Sequence, residues 1–90
     1  MEENGSRAKD DIYTEILQSS LSDTNGTTFL KLMYDSFLSY SQLSEDLEGL
    51  VRCGLLVNQP DITRYKITKK GRRLLKFVEE MNTLLSITHE

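Results

Sequence analysis

Seven basic side chains stand close together in the last third of the sequence. They lie between residues 61 and 78, where Asp61 is the only acidic residue, so this segment carries a net charge of +6. Lysine and arginine head groups bind phosphate oxygens through charge-assisted hydrogen bonds. The segment is therefore a candidate site for a polyanion. Its basic residues are Arg64, Lys66, Lys69, Lys70, Arg72, Arg73 and Lys76.

A shorter polar set between residues 41 and 45 could form directional hydrogen bonds. Its hydroxyl, amide and carboxylate groups supply donors and acceptors on short side chains, which suits them to reading the hydrogen-bonding pattern of a partner. The set consists of Ser41, Gln42, Ser44 and Glu45. Three carboxylates lie at the end of this segment and just after it, at Glu45, Asp46 and Glu48, and each would repel a nearby phosphate.

Few residues in the sequence are of the types that support catalysis. His89 is the only histidine and Cys53 the only cysteine, so neither a histidine-based triad nor a Cys/His ligand set can be assembled. Cys53 lies near the end of a predicted helix, where we expect a small buried residue rather than a nucleophile. We therefore predict no enzymatic activity, no metal and no cofactor. A single cysteine also excludes an internal disulfide and fits a reducing compartment.

Length and composition predict one soluble globular domain. Ninety residues allow a modest core, at a size where a second subunit often supplies missing burial. The overall net charge of −3 hides a partition, because residues 1–23 carry a net −4. No apolar run approaches the roughly 18 residues of a membrane span, and the polar start is unlike a signal peptide. We expect a cytoplasmic protein without a membrane partner.

The first half of the chain is predicted to form a tail and two helices. Residues 1–9 are polar and without periodicity, which predicts a flexible tail. Apolar residues then recur at helical spacing from Asp10 to about Ser22. Residues 22–28 are rich in turn formers and include Asn25-Gly26, with a short extended piece at Thr27 and Thr28. A second, shorter helix is predicted for residues 29–36.

The second half is predicted to form a helix, a hairpin and a last helix. Leu43, Leu47, Leu50 and Val51 form one stripe of a helix over residues 41–53, with Ser39 or Ser41 as its N-cap and Gly54 at its end. Two short strands over 55–59 and 64–68 enclose a turn that starts at Pro60. Thr68 can cap a last helix from residue 69. Gly71 within that helix indicates a close approach to the hairpin.

The last helix carries more apolar surface than one contact needs. Its apolar residues span about 180°, against the roughly 100° of an ordinary surface helix. Either one face packs on the domain and the rest is partly exposed, or the same helix of a second copy covers it. Leu74, Val78, Met81 and Leu85 have the spacing of a coiled-coil seam, which favours a symmetric dimer. The predicted interface is Leu74, Phe77, Val78, Met81, Leu84 and Leu85.

The element order, with helix, turn, helix, break, helix, hairpin and helix, indicates a winged helix-turn-helix architecture. Several short motifs then resemble an archaeal winged helix-turn-helix family of small chromatin-type DNA-binding proteins and related transcriptional regulators. The resemblance covers residues 12–85. Its motifs are Met33-Tyr34, Leu38-Ser39-Tyr40, Gln42-Leu43, Leu47, Leu50, Gly54-Leu55-Leu56 and the run from Tyr65 to Gly71.

The resemblance implies a mainly α fold with a β-hairpin wing, which is an α+β winged helix-turn-helix. It also implies double-stranded DNA as the partner and a homodimer formed through an antiparallel, coiled-coil-like contact of the last helix. The domain would comprise residues 10–68 and the dimerisation helix residues 69–88. Helix 29–36 would support the recognition helix 41–53, and residues 55–67 would form the wing.

Site residues follow by position in this architecture. Residues near the N-terminus of a recognition helix reach base edges, which selects Ser41, Gln42, Ser44 and Glu45. Gln42 can pair with adenine, and Glu45 can accept from cytosine N4. Predicted phosphate contacts are Lys31, Arg52, Arg64, Lys66, Lys69 and Arg73.

The carboxylates of the recognition helix leave two interpretations open. Either Glu45 reads a base while Asp46 and Glu48 point sideways, or this helix is not the contact element and the fold is a protein-protein interaction module. Chromatin-type members tend to be basic with a longer coiled coil, so we expect a sequence-specific transcriptional regulator here.

The aromatic residues of the stretch from Lys31 to Leu43 are assigned to packing. We expect Met33 and Phe37 on the core face of helix 29–36. Tyr34 and Tyr40 would turn their rings inward and their hydroxyls toward polar partners.

Overall fold

A computed structural model describes residues 8–88, except for the side chains of residues 87 and 88. Within that range there are four helices and one antiparallel hairpin, each within two residues of its predicted bounds. The elements are α1 (Lys9–Leu21), α2 (Phe29–Ser36), α3 (Tyr40–Arg52), β1 (Leu56–Gln59), β2 (Arg64–Ile67) and α4 (Lys69–Thr88). This confirms the mainly helical winged helix-turn-helix fold. Residues 1–7 of the predicted tail, and His89, lie outside the described residues.

The hydrophobic core takes aliphatic side chains from every helix and both strands. Leu43, Leu47 and Leu50 of α3 are buried as predicted, while Val51 is half-buried. Burying each such side chain contributes about 1.5–3 kcal/mol. The core consists of Ile16, Leu17, Leu32, Leu43, Leu47, Leu50, Leu55, Leu56, Ile67 and Leu75. It holds α3 between the other helices and the hairpin.

Side-chain oxygens cap the helices that carry the candidate site. The Ser39 hydroxyl accepts a hydrogen bond from the Gln42 amide at 3.2 Å, so Ser39 rather than Ser41 caps α3. The Thr68 hydroxyl accepts from the Gly71 amide at 3.0 Å, as expected for the cap of α4. Gly54 follows α3 with a φ of +78°, a conformation that glycine adopts without steric cost.

The hairpin pairs Leu56 with Ile67 and Val57 with Lys66 in antiparallel register. Leu56 and Ile67 point into the core, so Lys66 lies on the opposite face of the sheet. The extended piece predicted before α2 is confirmed at Thr27, whose backbone exchanges two 2.8 Å hydrogen bonds with Tyr65. The loop before α2 is thereby fastened to the wing.

Gly71 brings α4 into direct contact with the hairpin. A Cβ at this position would lie 2.5 Å from the Leu55 carbonyl oxygen and 2.7 Å from Ile67 Cγ1. No side chain fits there without displacing one of these groups. The close approach that the sequence indicated is therefore confirmed, and it sets the position of the basic residues that follow.

The second half of α4 extends beyond the domain. At 20 residues the helix is about 30 Å long. Leu75 is in the core, and Leu74 and Val78 are half-buried, but every residue from 79 to 86 is exposed. The apolar residues of this half, including Leu84 at 62% exposure, face solvent.

Four packing predictions are wrong. Phe37, expected in the core, is 87% exposed, because it ends α2 in the left-handed conformation with a φ of 56° and the chain there turns its ring outward. Tyr34 is 82% exposed rather than turned inward, since Leu32 and Ser36 occupy the buried face of α2. Tyr40 is 70% exposed because it is the first residue of α3, one turn before the first buried leucine, Leu43. Cys53 is exposed, because it lies at the C-cap of α3, where the chain leaves the helix.

Candidate nucleic-acid interface

The solvent face of α3 carries a different set of residues from the one the sequence selected. At 100° per residue, the side opposite the buried leucines holds Ser41, Glu45, Glu48 and Arg52, all of which are exposed. Glu48 and Arg52 form an i,i+4 ion pair at 3.5 Å. This face therefore has mixed charge, with Ser41 and Glu45 nearest the helix N-terminus.

Gln42 takes part in a buried polar cluster. Its amide Nε2 donates to Asp46 Oδ2 at 3.0 Å, and Lys9 Nζ lies 3.6 Å from Asp46 Oδ1. Asp46 is fully buried, and the Gln42 hydrogen bond to Oδ2 and the nearby Lys9 charge partly compensate the burial of its carboxylate, whereas Oδ1 has no hydrogen-bond partner among the described residues. Asp46 accordingly points into the protein. The repulsion of phosphate that the sequence suggested for α3 comes from Glu45 and Glu48.

Ser44 is half-buried in a groove between α3 and the hairpin. The groove has a volume of about 320 Å³ and includes the rings of Phe29 and Tyr40, whose centroids are 4.9 Å apart. Its lining residues are Phe29, Tyr40, Ser44, Leu47, Glu48, Val51, Asn58 and Tyr65. Ser44 thus faces the wing, at the side of the α3 solvent face.

Arg64 fastens the hairpin to the loop before α2. Its Nη1 donates to the Gly26 carbonyl oxygen at 2.9 Å and lies 3.3 Å from Asp23 Oδ2. This guanidinium therefore has an internal role in addition to any contact with a ligand. Lys66, two residues along the strand, is half-buried on the same face of the hairpin.

The first half of α4 presents the densest positive charge among the described residues. Lys69, Arg72, Arg73 and Lys76 are exposed on the side away from Gly71 and Leu75. Lys70 Nζ instead donates to the Cys53 carbonyl oxygen at 2.7 Å, which places a cation at the C-terminus of α3. That position is favourable because the last carbonyls of a helix carry partial negative charge. The contact joins the basic half of α4 to the recognition helix.

Lys31, another predicted phosphate contact, lies on α2 in an ion pair. Its Nζ donates to Asp35 Oδ2 at 2.8 Å, and the Ser19 hydroxyl donates to the same oxygen at 2.7 Å. The Lys31 hydrogen bond, with that from Ser19, lowers the pKa of the Asp35 carboxyl below its ordinary value. The charge of Lys31 is thus partly balanced within the domain.

Lys69 and Arg73 share one exposed face of α4, and Lys66 lies on β2, the strand that precedes this helix, while Ser41 and Glu45 share the α3 solvent face. Gln42, Arg64 and Lys31 instead contact groups of the protein itself. Sequence reasoning missed the exposed tyrosines, Tyr34 and Tyr40. The signal that could have revealed them is the position of Tyr34 opposite Leu32 and Ser36 on α2.

Two other kinds of site are absent from the part of the chain that the structure describes. There, no group of three or more His, Cys, Asp or Glu side chains could hold a metal ion. None of the helices within residues 8–88 is long and apolar enough to cross a bilayer.

Comparison with known proteins identifies the family. A family model described as winged helix-turn-helix matches residues 6–86, which is nearly the whole chain. No curated protein gives a significant match. Winged helix-turn-helix domains are typically DNA-binding modules without enzymatic activity, so the match indicates a DNA-binding regulator at the level of the family. The helix order, the hairpin and this match together show that the chain belongs to the winged helix-turn-helix family.

Proposed function

We propose that the protein is a sequence-specific transcriptional regulator that binds duplex DNA as a homodimer, through α3 and the wing of residues 55–67. The observation that carries this proposal is the basic surface formed by the exposed Lys69 and Arg73 of α4 with the half-buried Lys66 of β2, which the Lys70 contact joins to the end of α3. Such a surface follows a phosphate backbone.

The two parts of the interface have different roles in this proposal. Cationic side chains of β2 and α4 neutralise phosphates, and this supplies affinity for any duplex. Ser41 and Glu45 at the start of α3 reach base edges in the major groove, where a carboxylate can accept from cytosine N4. Recognition of the DNA sequence therefore depends mainly on Ser41 and Glu45. Affinity for DNA of any sequence depends on the basic surface.

Affinity measured against salt concentration tests the proposal. The triple variant Lys66→Gln, Lys69→Gln, Arg73→Gln should bind all duplexes more weakly. Its slope of log affinity against log salt should be shallower by about 2.7, since each lost phosphate contact removes about 0.9. Arg64 is left intact because it anchors the loop at Gly26. Thermal unfolding of the triple variant, which should match the parent, controls for folding.

The exposed half of α4 supports the homodimer. Phe77, Met81, Leu84 and Leu85 are exposed on a helix that extends from the domain, and a soluble protein rarely leaves such a surface uncovered. In an antiparallel pair with the two-fold axis between residues 79 and 80, Leu74 faces Leu85 of the second copy. Val78 then faces Met81 of the second copy, so the whole predicted seam is paired.

Sedimentation of two α4 variants tests the dimer. Met81→Glu places a charge in the seam and should shift the protein to the mass of a monomer. Thr83→Glu places the same charge on the opposite side of the exposed half of α4 and should leave the dimer intact. Equal masses for Met81→Glu and the parent would exclude the proposed seam.

The pair of exposed carboxylates on α3 favours a second candidate, a protein-protein interaction module that does not bind DNA. Glu45 and Glu48 lie on the solvent face, where a major-groove helix would meet phosphates on either side. This candidate replaces the first if the parent binds no duplex more tightly than about 100 μM at roughly 50 mM salt, which is weaker than ordinary nonspecific binding.

A further inference from the structure

Two exposed tyrosines flank the connection between α2 and α3. Tyr34 lies at the centre of the α2 solvent face, and Tyr40 is the first residue of α3. The Tyr40 ring packs against Phe29 at a centroid distance of 4.9 Å, yet most of the side chain remains in solvent. Within residues 8–86, neither phenol hydroxyl has a hydrogen-bond partner. Both hydroxyls are thus available to a ligand.

The architecture determines what these hydroxyls would meet on DNA. When a helix-turn-helix docks, the second helix enters the major groove by its N-terminal end, and the first helix crosses the phosphate backbone. The connection spans only residues 37–39, so the last turn of α2 lies beside the first turn of α3. Side chains exposed on both turns therefore lie near the strand that borders the groove.

The charge of this edge favours contact by neutral donors. The two charged residues of α2, Lys31 and Asp35, are paired with each other at 2.8 Å. The Ser39 hydroxyl is engaged as the helix cap. The exposed groups that remain at the connection are the two phenols and Ser41, and tyrosine and serine hydroxyls are regular phosphate donors in DNA complexes.

We propose that Tyr34 and Tyr40 bind backbone phosphates of duplex DNA through their hydroxyl groups and so set the depth at which α3 enters the groove. This inference rests on the proposed function, because it assigns contacts within the same complex. The tyrosine hydroxyls would be a second kind of contact with the DNA backbone. The basic surface of β2 and α4 binds with release of counterions, whereas the tyrosines bind without it.

Replacement by phenylalanine tests the tyrosine contacts. Tyr34→Phe and Tyr40→Phe remove only the hydroxyls and keep both rings, including the packing of residue 40 on Phe29. We expect each variant to bind duplex DNA about fivefold more weakly, and the double variant about 20-fold. The slope of log affinity against log salt should equal that of the parent, since a neutral donor displaces no counterion. Lys69→Gln is the charged comparison, with a slope shallower by about 0.9.

The outcomes separate this inference from the proposed function. If the parent binds DNA and the double phenylalanine variant binds equally well, the tyrosine contacts are excluded and the proposed function stands. If Tyr34→Ala and Tyr40→Ala weaken binding but the phenylalanine variants do not, the rings act by apolar contact, and the hydroxyl contacts are likewise excluded. If the parent binds no duplex, the proposed function fails and this inference fails with it.

Discussion

Helix α3 and the first half of α4 both present polar side chains, but these side chains make different contacts. On α3, the amide of Gln42 is bound to the buried Asp46, and Ser44 faces the wing. On α4, Lys69 and Arg73 are exposed to solvent, whereas Lys70 donates a hydrogen bond to the Cys53 carbonyl oxygen. Short polar groups next to a core are drawn into its hydrogen bonds, whereas long cationic side chains keep their head groups in water.

In the proposed DNA complex, this difference would divide affinity from specificity. Variants of α4 should weaken the binding of all sequences equally, because phosphates carry no sequence information. Variants of α3 should change the order of preference among sequences. Of the five predictions that follow, three test α3 and α4 separately and two test α2, beginning with the largest expected effect.

Gly71→Ala should destabilise the protein by about 3 kcal/mol, because the new methyl group would overlap the Leu55 carbonyl and Ile67. Urea unfolding measures the change. Gly54→Ala is the control, since its methyl group would meet nothing closer than Lys70 Cδ at 3.8 Å and only the positive φ opposes it, at about 1 kcal/mol. An equal loss in both variants would mean that α4 is not held against the hairpin at Gly71.

Glu45→Gln should weaken binding to the preferred sequence about tenfold, since one good base contact is worth about 1–3 kcal/mol. Binding to unrelated duplexes should strengthen, because a repulsive charge is removed. Glu48→Gln, the control, should strengthen binding to both classes equally. Competition between selected and random duplexes measures the ratio of the affinity for the preferred sequence to the affinity for unrelated duplexes. An unchanged ratio for Glu45→Gln would exclude this side chain from reading bases.

Gln42→Ala should lower the free energy of unfolding by about 1 kcal/mol, because the buried Asp46 carboxylate loses a hydrogen bond. Ser41→Ala, one residue away and exposed, should change it by less than about 0.5 kcal/mol. Chemical denaturation of the two variants without DNA gives both values. If the variant is as stable as the parent, the hydrogen bond from Gln42 to Asp46 does not stabilise the fold, and DNA binding is the role that remains for Gln42.

Phe37→Asn should stabilise the protein by about 0.5–1 kcal/mol. Asparagine tolerates the left-handed conformation better than phenylalanine does, and the exposed ring contributes little packing. Leu30→Asn, also exposed but inside α2, should instead destabilise by about 0.5 kcal/mol, because asparagine is the poorer helix former. Thermal unfolding of both variants measures the contrast. A loss of stability in Phe37→Asn would show that the ring has a packing role.

The pH dependence of stability should contain a small contribution from Asp35. Its pKa is lowered in the folded state by the hydrogen bonds from Lys31 and Ser19. The carboxylate therefore contributes stability above its unfolded pKa, and this contribution is lost as the pH falls through the folded pKa. Asp35→Asn should be less stable than the parent at neutral pH and equal to it in acid. A difference that persists in acid would mean that the effect is not one of charge.

The fold was largely predictable because hydrophobic spacing and turn residues act locally. Leu43, Leu47 and Leu50 marked the buried face of α3, Gly54 its end and Pro60 the turn of the hairpin. Phe37 was misplaced because its left-handed backbone, which reverses the direction of the ring, leaves no mark in hydrophobic periodicity. The site was less predictable, since spacing alone does not tell which polar groups meet across elements.

The sequence by itself determined the element order, the cap at Thr68 and the basic character of the first half of α4. These depend on neighbours within about four residues, whose effects are readable along the chain. Only the tertiary structure decided that the buried Asp46 lies beside the exposed Lys9 of α1, that Arg64 holds the Gly26 loop, and that the two tyrosines are exposed. Those outcomes depend on contacts between residues far apart in sequence, which exist only once the helices and hairpin have packed.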